Sequence, residues 1–262
     1  MVKIGLLGSG KLGGIIARGL HEGRVPGCKL VGILDQDLAH AQALADETGG
    51  PRACSALPEL LSLKPNFVLE AATADALKQY AADILSAPCN IICLSIGALS
   101  DGDFYRRAEQ AALEHGSKLY LSSGVIGGFD LAATAAMVGP LDASITKHKY
   151  PTASPECPAG LRELPDRYEA SVRDAFAMSP RHLNIGIAVG LACGGDLDRA
   201  KMKVDTVPTD TYMGFSLELE GAFGAAQLHV QQGGEDSVLS GPMLAGWSSL
   251  ALLKRLTSPI TF

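Results

Sequence analysis

Short apolar runs alternate with helical stretches over the first half of the chain, from Val2 to about Gly124. The runs have the length of buried strands, whereas the stretches between them repeat apolar residues with helical spacing. The predicted strands are Val2–Leu7, Lys29–Leu34, Phe67–Glu70, Asn90–Ser95 and Lys118–Ser122. The predicted helices are Gly13–Glu22, Leu38–Thr48, Ala74–Ser86 and Asp103–His115. Strands that alternate with helices predict a doubly wound parallel sheet of the α/β class, with right-handed crossovers.

The pattern changes after about Val125, where a smaller α+β domain with a mostly antiparallel sheet is predicted. Its predicted helices are Ala132–Met137, Tyr168–Ala177 and Arg181–Cys193, and its predicted strands are Ala143–Lys149, Ala200–Asp205, Met213–Glu220 and Ala225–Gln231. Prolines mark a loop over residues 152–160, and residues 232–234 read as a turn. We therefore expect one domain over residues 1–124 and a second over 125–240. A closing helix, predicted over Pro242–Leu256 within residues 241–262, is expected to pack back on the first domain.

The composition is that of a globular protein and excludes several classes of function. The chain has 262 residues, of which 47% are hydrophobic, and a net charge of −6, which offers no basic face to a nucleic acid. Its longest nearly apolar run, Ile185–Gly195, is too short to span a membrane, and residues 8–11 interrupt the apolar amino terminus before a secretion signal could form. The six cysteines lack metal-ligand spacing. We expect no metal, reduced thiols and a cytoplasmic location.

A glycine-rich turn joins the first predicted strand to the first helix and reads Gly8-Ser9-Gly10-Lys11-Leu12-Gly13. In this G-x-G-x-x-G pattern Gly8 allows the tight turn, Gly10 lets the backbone approach a pyrophosphate, and Gly13 lets the helix pack closely on the sheet. The helix N-terminus adds N–H groups and a partial positive charge. The turn therefore predicts a dinucleotide site in a Rossmann-type domain.

Asp35 ends the second predicted strand and indicates which dinucleotide is bound. It lies about 20 residues past the turn, where a carboxylate binds the ribose 2′-hydroxyl. The same charge repels a 2′-phosphate, and the next residue is Gln36 rather than an arginine that could hold one. NAD is therefore favoured, although Lys11 could supply positive charge and leaves NADP open.

Three strings, together with the glycine-rich turn, carry a family resemblance. They read E-A-A-T at residues 70–73, L-S-I-G-A-L-S-D at 94–101 and S-G-V-I-G-G-F-D at 123–130. The chain resembles the L-aspartate dehydrogenase family, whose patterns run E-A-A, S-V-G-A-L-x-D and P-S-G-A-I-G-G-x-D. The resemblance extends almost without gaps from Val2 to about Pro151.

This resemblance implies NAD(P)-dependent oxidation of an amino acid to an imine, which water hydrolyses to an oxoacid and ammonia. It also implies a carboxy-terminal substrate domain and a homodimer or tetramer. By the family's pattern, Val125 and Asn184 contact the nicotinamide end of the cofactor. Ligands of doubly wound sheets lie outside the carboxyl ends of the strands. Further cofactor contacts are therefore expected just after strands, at Ala72, Thr73, Ser95, Ile96 and Gly97.

The second half departs from the family at its catalytic histidine. Counting forward from residues 204–205 places that histidine at Met213, and counting back from the G-A-F-G string at 221–224 places it at Phe215. The family's N-P-[KR]-T-S string is also absent, and Glu235–Ser240 stands near its place. His182 replaces the first Asn of the family's P-x-N-x-N-V string. The main acid–base residue of the family is therefore missing.

Other side chains could supply the missing chemistry. His182 precedes the expected nicotinamide contact, and a histidine near its ordinary pKa suits proton transfer. Tyr212 lies beside the position of the missing histidine, and its phenol could donate a proton. Lys149 lies where the family carries a basic string and is the expected contact for a substrate carboxylate, with Arg181 as a second cation. His229 is expected on the solvent face of a strand.

Three functions fit these features. The leading hypothesis is an NAD-preferring amino-acid dehydrogenase of the family that the chain resembles, which forms a homodimer. Its small amino or imino acid substrate is then L-aspartate, converted to iminosuccinate and on to oxaloacetate and ammonia. A reductase of imines or dehydroamino acids is the alternative, because reduction of an imine formed elsewhere has no hydrolysis step and depends less on the missing histidine. A nucleotide-binding pseudoenzyme, with an intact turn and damaged acid–base chemistry, is the third.

Overall fold

The structure, a computed structural model, describes residues 1–232 and 242–261, and the chain divides into two compact units. Unit 1 contains residues 1–124 and the carboxy-terminal segment from residue 242, and unit 2 begins at Val125. Within the described residues, no helix combines the length and apolarity needed to cross a membrane.

Unit 1 is built on a six-stranded sheet in which every neighbouring pair is parallel. Its strands are β1 (Val2–Leu7), β2 (Cys28–Leu34), β3 (Arg52–Cys54), β4 (Phe67–Glu70), β5 (Asn90–Cys93) and β6 (Leu119–Leu121). They lie in the order β3-β2-β1-β4-β5-β6. This order, in which the direction of winding reverses beside β1, is that of the Rossmann fold, and the predicted α/β class is confirmed.

Helices join these strands and cover the sheet. They are α1 (Lys11–His21), α2 (Leu38–Glu47), α3 (Leu57–Ser62), α4 (Ala74–Ser86), α5 (Gly102–His115) and a short 3-10 helix over Ile96–Ser100. The sequence analysis did not predict β3 or α3, because three and six residues are too short to show a period. The structure also ends β5 at Cys93, two residues earlier than predicted, because the backbone N–H groups of Leu94 and Ser95 bind the Glu70 carboxylate before the 3-10 helix begins at Ile96.

The last helix of the chain, α9 (Pro242–Thr257), belongs to unit 1 and packs on α1. A side chain at Gly19 of α1 would collide with Leu250, and both Leu250 and Leu253 are part of the core with residues of β1 and β2. Two serines of α9 also bind the end of the sheet: the Ser248 hydroxyl accepts a hydrogen bond from the Gly124 backbone N–H over 3.0 Å, and Ser249 bonds Ser122.

In its described residues, unit 2 contains a five-stranded mixed sheet, three α-helices and a 3-10 turn over Ala159–Leu161. The strands are β7 (Leu141–Lys149), β8 (Tyr168–Ser171), β9 (Lys201–Thr206), β10 (Gly214–Gly221) and β11 (Gly224–Gln231), in the order β11-β10-β7-β9-β8. Only the β7–β9 pair is parallel within the described residues, so the sheet is mostly antiparallel as predicted. The helices are α6 (Phe129–Val138), α7 (Val172–Met178) and α8 (Asn184–Ala192).

One element of unit 2 was predicted wrongly. Residues 168–177 form strand β8 followed by α7 rather than a single helix. Tyr168–Ser171 pairs with β9, and the Ser171 hydroxyl then accepts a hydrogen bond from the Asp174 backbone N–H, which begins α7. The predicted turn at residues 232–234 and the Glu235–Ser240 segment lie, apart from Gln232, outside the described residues.

Candidate functional site

The glycine-rich turn of unit 1 combines two packed glycines with one open position. Gly8 has φ +97°, and a β-carbon there would lie 2.7 Å from the Ala71 carbonyl oxygen, so only glycine fits. A β-carbon at Gly13 would collide with the Gly8 carbonyl oxygen. Gly10, in contrast, has no heavy atom within 4 Å of its β-carbon position and begins α1 without a side-chain cap. The turn therefore leaves space for a phosphate at the N-terminus of α1.

Asp35 is fixed against this turn by its own hydrogen bonds. One carboxylate oxygen accepts from the Ser9 backbone N–H over 2.6 Å and from the Ser9 hydroxyl over 2.8 Å, and the other accepts from the Asp37 N–H over 3.0 Å. Partial burial works against ionisation, yet the donors of Asp37 and Ser9 together hold the pKa of Asp35 below its ordinary value. A fixed negative charge thus lies beside the open Gly10, as a ribose contact requires.

Other predicted cofactor contacts follow the carboxyl ends of β4 and β5. The Thr73 hydroxyl caps α4 by accepting from the Ala76 N–H over 3.1 Å, and Ala72 is exposed. Ser95 is half-buried, whereas Ile96 and Gly97 are buried in the 3-10 helix. Among the predicted contacts, those exposed enough to face a ligand are therefore Ala72, Thr73 and Ser95.

Glu70 organises this edge of the sheet, a role that the sequence analysis did not assign. The side chain is 1% exposed and accepts four hydrogen bonds, from the Ala72 N–H, the Ser95 N–H and hydroxyl, and the Leu94 N–H, at 2.8–3.3 Å. Burial raises the pKa of Glu70, and these donors act against that rise. The carboxylate joins the ends of β4 and β5 and orients Ser95. The only signal in the sequence was its place in the E-A-A string.

In unit 2, Lys149 lies at the end of β7 and is fully buried, with 0% of its surface exposed. Its ammonium donates to the Asp166 carboxylate over 2.9 Å, to the Thr152 hydroxyl over 2.8 Å and to the Tyr150 carbonyl over 3.3 Å. An ammonium has three N–H donors. All three are thus used within the protein, which argues against the predicted contact with a substrate carboxylate.

Lys147 lies two residues before Lys149, on the same face of β7, but its ammonium has different surroundings. It is 9% exposed, and its ammonium nitrogen lies 4.5 Å from the ring centroid of Phe215. Burial lowers the pKa of Lys147 to about 8. No ion pair or hydrogen bond joins its ammonium to another residue in the described part of the chain. Lys147 had no predicted role, because alternation along the strand places both lysines on one face and does not show which of them has a partner.

His182 lies just before α8, where Asn184 is the first residue. Its Nε2 lies 2.8 Å from a carboxylate oxygen of Glu163. Burial lowers the pKa of His182; the charge of Glu163 raises it, and the charges of Lys147 and Arg181 lower it. His182 is therefore coupled electrostatically to Lys147, and it is uncharged over more of the pH range than an exposed histidine.

The remaining predicted residues of unit 2 are more dispersed. Tyr212 is 55% exposed in the loop between β9 and β10, while Val125 and Asn184 are half-buried. His229 is exposed, but its Nδ1 lies 2.7 Å from the Ser216 hydroxyl, which also bonds His148. His229, Ser216 and His148 lie on the face of the sheet opposite Lys147, and we assign them to no site.

Two family models match the chain, one in each half. The model described as "Homoserine dehydrogenase, NAD binding domain" matches residues 8–122. The model described as "Aspartate dehydrogenase, C-terminal" matches residues 130–256.

Similar proteins match over the full length. An L-aspartate dehydrogenase of Methanospirillum hungatei is 31% identical, with 99% of this chain and 98% of that protein covered. An L-aspartate dehydrogenase of Methanococcus maripaludis is 26% identical with the same coverage. Among solved structures, the aspartate dehydrogenase of Thermotoga maritima has a TM-score of 0.73 at 22% identity, covering 100% of this chain and 99% of that one, which shows a shared fold.

Proposed function

The chain belongs to the L-aspartate dehydrogenase family, and we propose that it oxidises L-aspartate to iminosuccinate, which water converts to oxaloacetate and ammonia. It is an NAD(P)-dependent oxidoreductase that acts on a CH–NH₂ group. When bound, the nicotinamide cofactor supplies the acceptor for the hydride of the amino acid.

The arrangement of Gly10 and Asp35 carries the cofactor part of this proposal. The open space at Gly10 fits a pyrophosphate, and the fixed carboxylate of Asp35 fits the hydroxyls of an adenosine ribose. Because Asp35 is ionised at neutral pH and would repel a 2′-phosphate, we propose that NAD is preferred to NADP. Lys11 is exposed within the glycine-rich turn and is the cation that could allow NADP to bind. Unit 1 is then the dinucleotide-binding domain, and unit 2 the substrate domain.

The substrate part of the proposal relies on the guanidinium of Arg181, just before α8, and on its neighbour His182, whose ring can form hydrogen bonds. Arg181 is exposed and His182 is half-buried, so both can reach a dissolved dicarboxylate. A guanidinium suits a carboxylate because it can donate two parallel hydrogen bonds. Val125 and Asn184 remain the proposed contacts of the nicotinamide, and Tyr212 remains a proposed proton donor.

Turnover in both directions tests this function. Purified protein is mixed with NAD⁺ and L-aspartate, or with NADH, oxaloacetate and ammonia, and NADH absorbance is followed. We expect turnover in both mixtures and none with D-aspartate as the matched substrate control. Binding of NADH without turnover of aspartate, oxaloacetate or any imine would indicate a pseudoenzyme and overturn the proposal.

A reductase of preformed imines is a second candidate, and one observation favours it. Met213 and Phe215, the two positions that could correspond to the family's histidine, carry side chains that cannot exchange a proton with water. An enzyme that only reduces an imine has no water to activate. Turnover of NADH with a stable cyclic imine or a dehydroamino acid, but not with oxaloacetate and ammonia, would favour this candidate.

We also propose a cytoplasmic homodimer. All six cysteines are unpaired, which fits a reducing compartment, and the family resemblance implies assembly. Light scattering coupled to size-exclusion chromatography measures the mass in solution, and a monomer at working concentration would contradict the dimer.

A further inference from the structure

Lys147 is a buried cation without an anionic partner among the described residues. A buried charge is costly unless it is paired, and proteins normally pair it as Lys149 is paired here with Asp166. The ammonium of Lys147 instead lies over an aromatic ring, where the attraction is weaker than that of a carboxylate. The same strand thus carries one lysine with a carboxylate partner and one that has none among the described residues.

The groups around Lys147 reinforce its isolation. The neighbouring strands place Phe215 of β10 and Val204 of β9 directly beside it, and neither is charged. The nearby carboxylate of Glu163 binds His182, and that of Asp166 binds Lys149. The charge of His182, when this side chain is protonated, interacts unfavourably with that of Lys147 and so favours a neutral amine. Burial lowers the pKa of Lys147 to about 8, so roughly a tenth of its amine is neutral at pH 7.

The position of this amine corresponds to the chemistry that the chain otherwise lacks. Phe215 pairs with Lys147 across the β7–β10 ladder and is one of the two positions at which the family's histidine is expected. An acid–base group therefore lies beside that position, because the ammonium nitrogen of Lys147 is 4.5 Å from the centre of the Phe215 ring.

We propose that Lys147 is the catalytic residue that accepts and returns protons during amino-acid oxidation, in place of the missing histidine. This assignment rests on the proposed function and names the acid–base group of that site. A buried lysine is a known type of general base, because burial makes its amine neutral at a pH where an exposed lysine is charged.

The proton transfers balance as follows. The neutral amine of Lys147 takes one proton from the substrate's ammonium group, which leaves a neutral substrate amine. The Cα–H bond of the substrate then breaks, its electron pair leaves as hydride to NAD⁺, and the substrate becomes an iminium ion. Lys147 releases its proton to solvent and next takes a proton from the water whose oxygen attacks the iminium carbon. It returns that proton to the nitrogen, and its neutral amine then takes the proton of the new hydroxyl as the C–N bond breaks, which gives the carbonyl and ammonia.

Kinetics of three substitutions separate a proton carrier from a substrate anchor. Lys147→Met should lower kcat about 10²–10⁴-fold. Lys147→Arg should lower kcat similarly, because a guanidinium keeps the charge but does not deprotonate. Added ethylamine or propylamine should restore part of the activity of Lys147→Ala, and the wild-type rate should rise with a pKa near 8. Lys203→Met on β9 changes a half-exposed lysine on the other face and serves as the control.

A second readout does not depend on turnover. Protein labelled with ¹³C at the ε-carbon of lysine is titrated by NMR, and the signal missing from Lys147→Met identifies Lys147. We expect it to titrate near pH 8, well below the 10.5 of an unperturbed lysine.

These measurements also distinguish failure of this assignment from failure of the proposed function. If aspartate and every imine are inert but Lys147 titrates near pH 8, the proposed function is wrong and the amine remains a proton acceptor. The assignment to Lys147 is overturned if it titrates like an exposed lysine. It is also overturned if Lys147→Arg keeps kcat and raises only KM, since that is the behaviour of an anchor.

Discussion

The two units of this protein prepare their candidate sites in opposite ways. In unit 1 the site is open because Gly10 has no side chain, and the charged groups around it, Asp35 and Glu70, are held by hydrogen bonds from the protein itself. In unit 2 the reactive group is Lys147, which is buried without a counter-charge among the described residues. A site built from backbone groups and hydrogen-bonded carboxylates has little effect on the free energy of unfolding. A site built on an isolated buried cation lowers that free energy.

The largest expected effect comes from making the same substitution at the two lysines of β7. Lys149→Met removes three hydrogen bonds of a fully buried cation and should lower the free energy of unfolding by about 2 kcal/mol. Lys147→Met removes an unpaired charge and should raise that free energy by roughly 1–3 kcal/mol, because apolar replacements of poorly compensated buried charges are often stabilising. Denaturant unfolding at pH 7 measures both. Destabilisation of equal size at the two positions would remove the distinction between them.

The pH dependence of stability sharpens the same contrast. The pKa of Lys147 is lowered from 10.5 to about 8 in the folded protein, so the unfolded chain binds more protons between these values. Stability should therefore rise as the pH increases from 8 to 10.5, and the advantage of Lys147→Met over wild type should shrink across that window. Unfolding curves at several pH values, with Lys203→Met as the control, test this. An advantage that stays constant would contradict the lowered pKa.

A smaller effect is expected in unit 1, where Gly10→Ala adds one methyl group to open space. Because no heavy atom lies within 4 Å, the free energy of unfolding should change by less than about 1 kcal/mol. Affinity for NAD⁺ should fall about tenfold, which corresponds to about 1.4 kcal/mol. Gly13→Ala is the matched comparison: it should destabilise the fold, since its methyl group would collide with Gly8. Unchanged affinity in Gly10→Ala would mean that the pyrophosphate does not approach this turn.

The sequence predicted unit 1 well because its signals are local and contiguous. The strands β1 and β4 and the helix α4 were predicted with the bounds that the structure shows, and the turn and Asp35 were assigned from spacing alone. The hydrogen bonds between Ser9 and Asp35 were not predicted, because they join residues that are adjacent only after β1 and β2 pair.

The sequence predicted less of the site in unit 2 because its contacts connect distant residues. The predicted strand Ala143–Lys149 correctly placed Lys147 and Lys149 on β7, but the partner of Lys149 is Asp166, in a loop 17 residues away. Only the folded arrangement shows that Lys149 has a partner, whereas Lys147 has none among the described residues. Likewise, residues 168–171 became a strand because β9 offers an edge to pair with, and no local pattern records that.

Calorimetric titration of NAD⁺ and NADP⁺ into the wild-type protein tests most directly whether the open turn and Asp35 form a dinucleotide site. We predict heat of binding for NAD⁺ with an affinity about tenfold or more above that for NADP⁺, a difference of about 1.4 kcal/mol, and loss of that preference in Asp35→Ser. No heat from either dinucleotide, or equal affinities that Asp35→Ser leaves unchanged, would contradict the account.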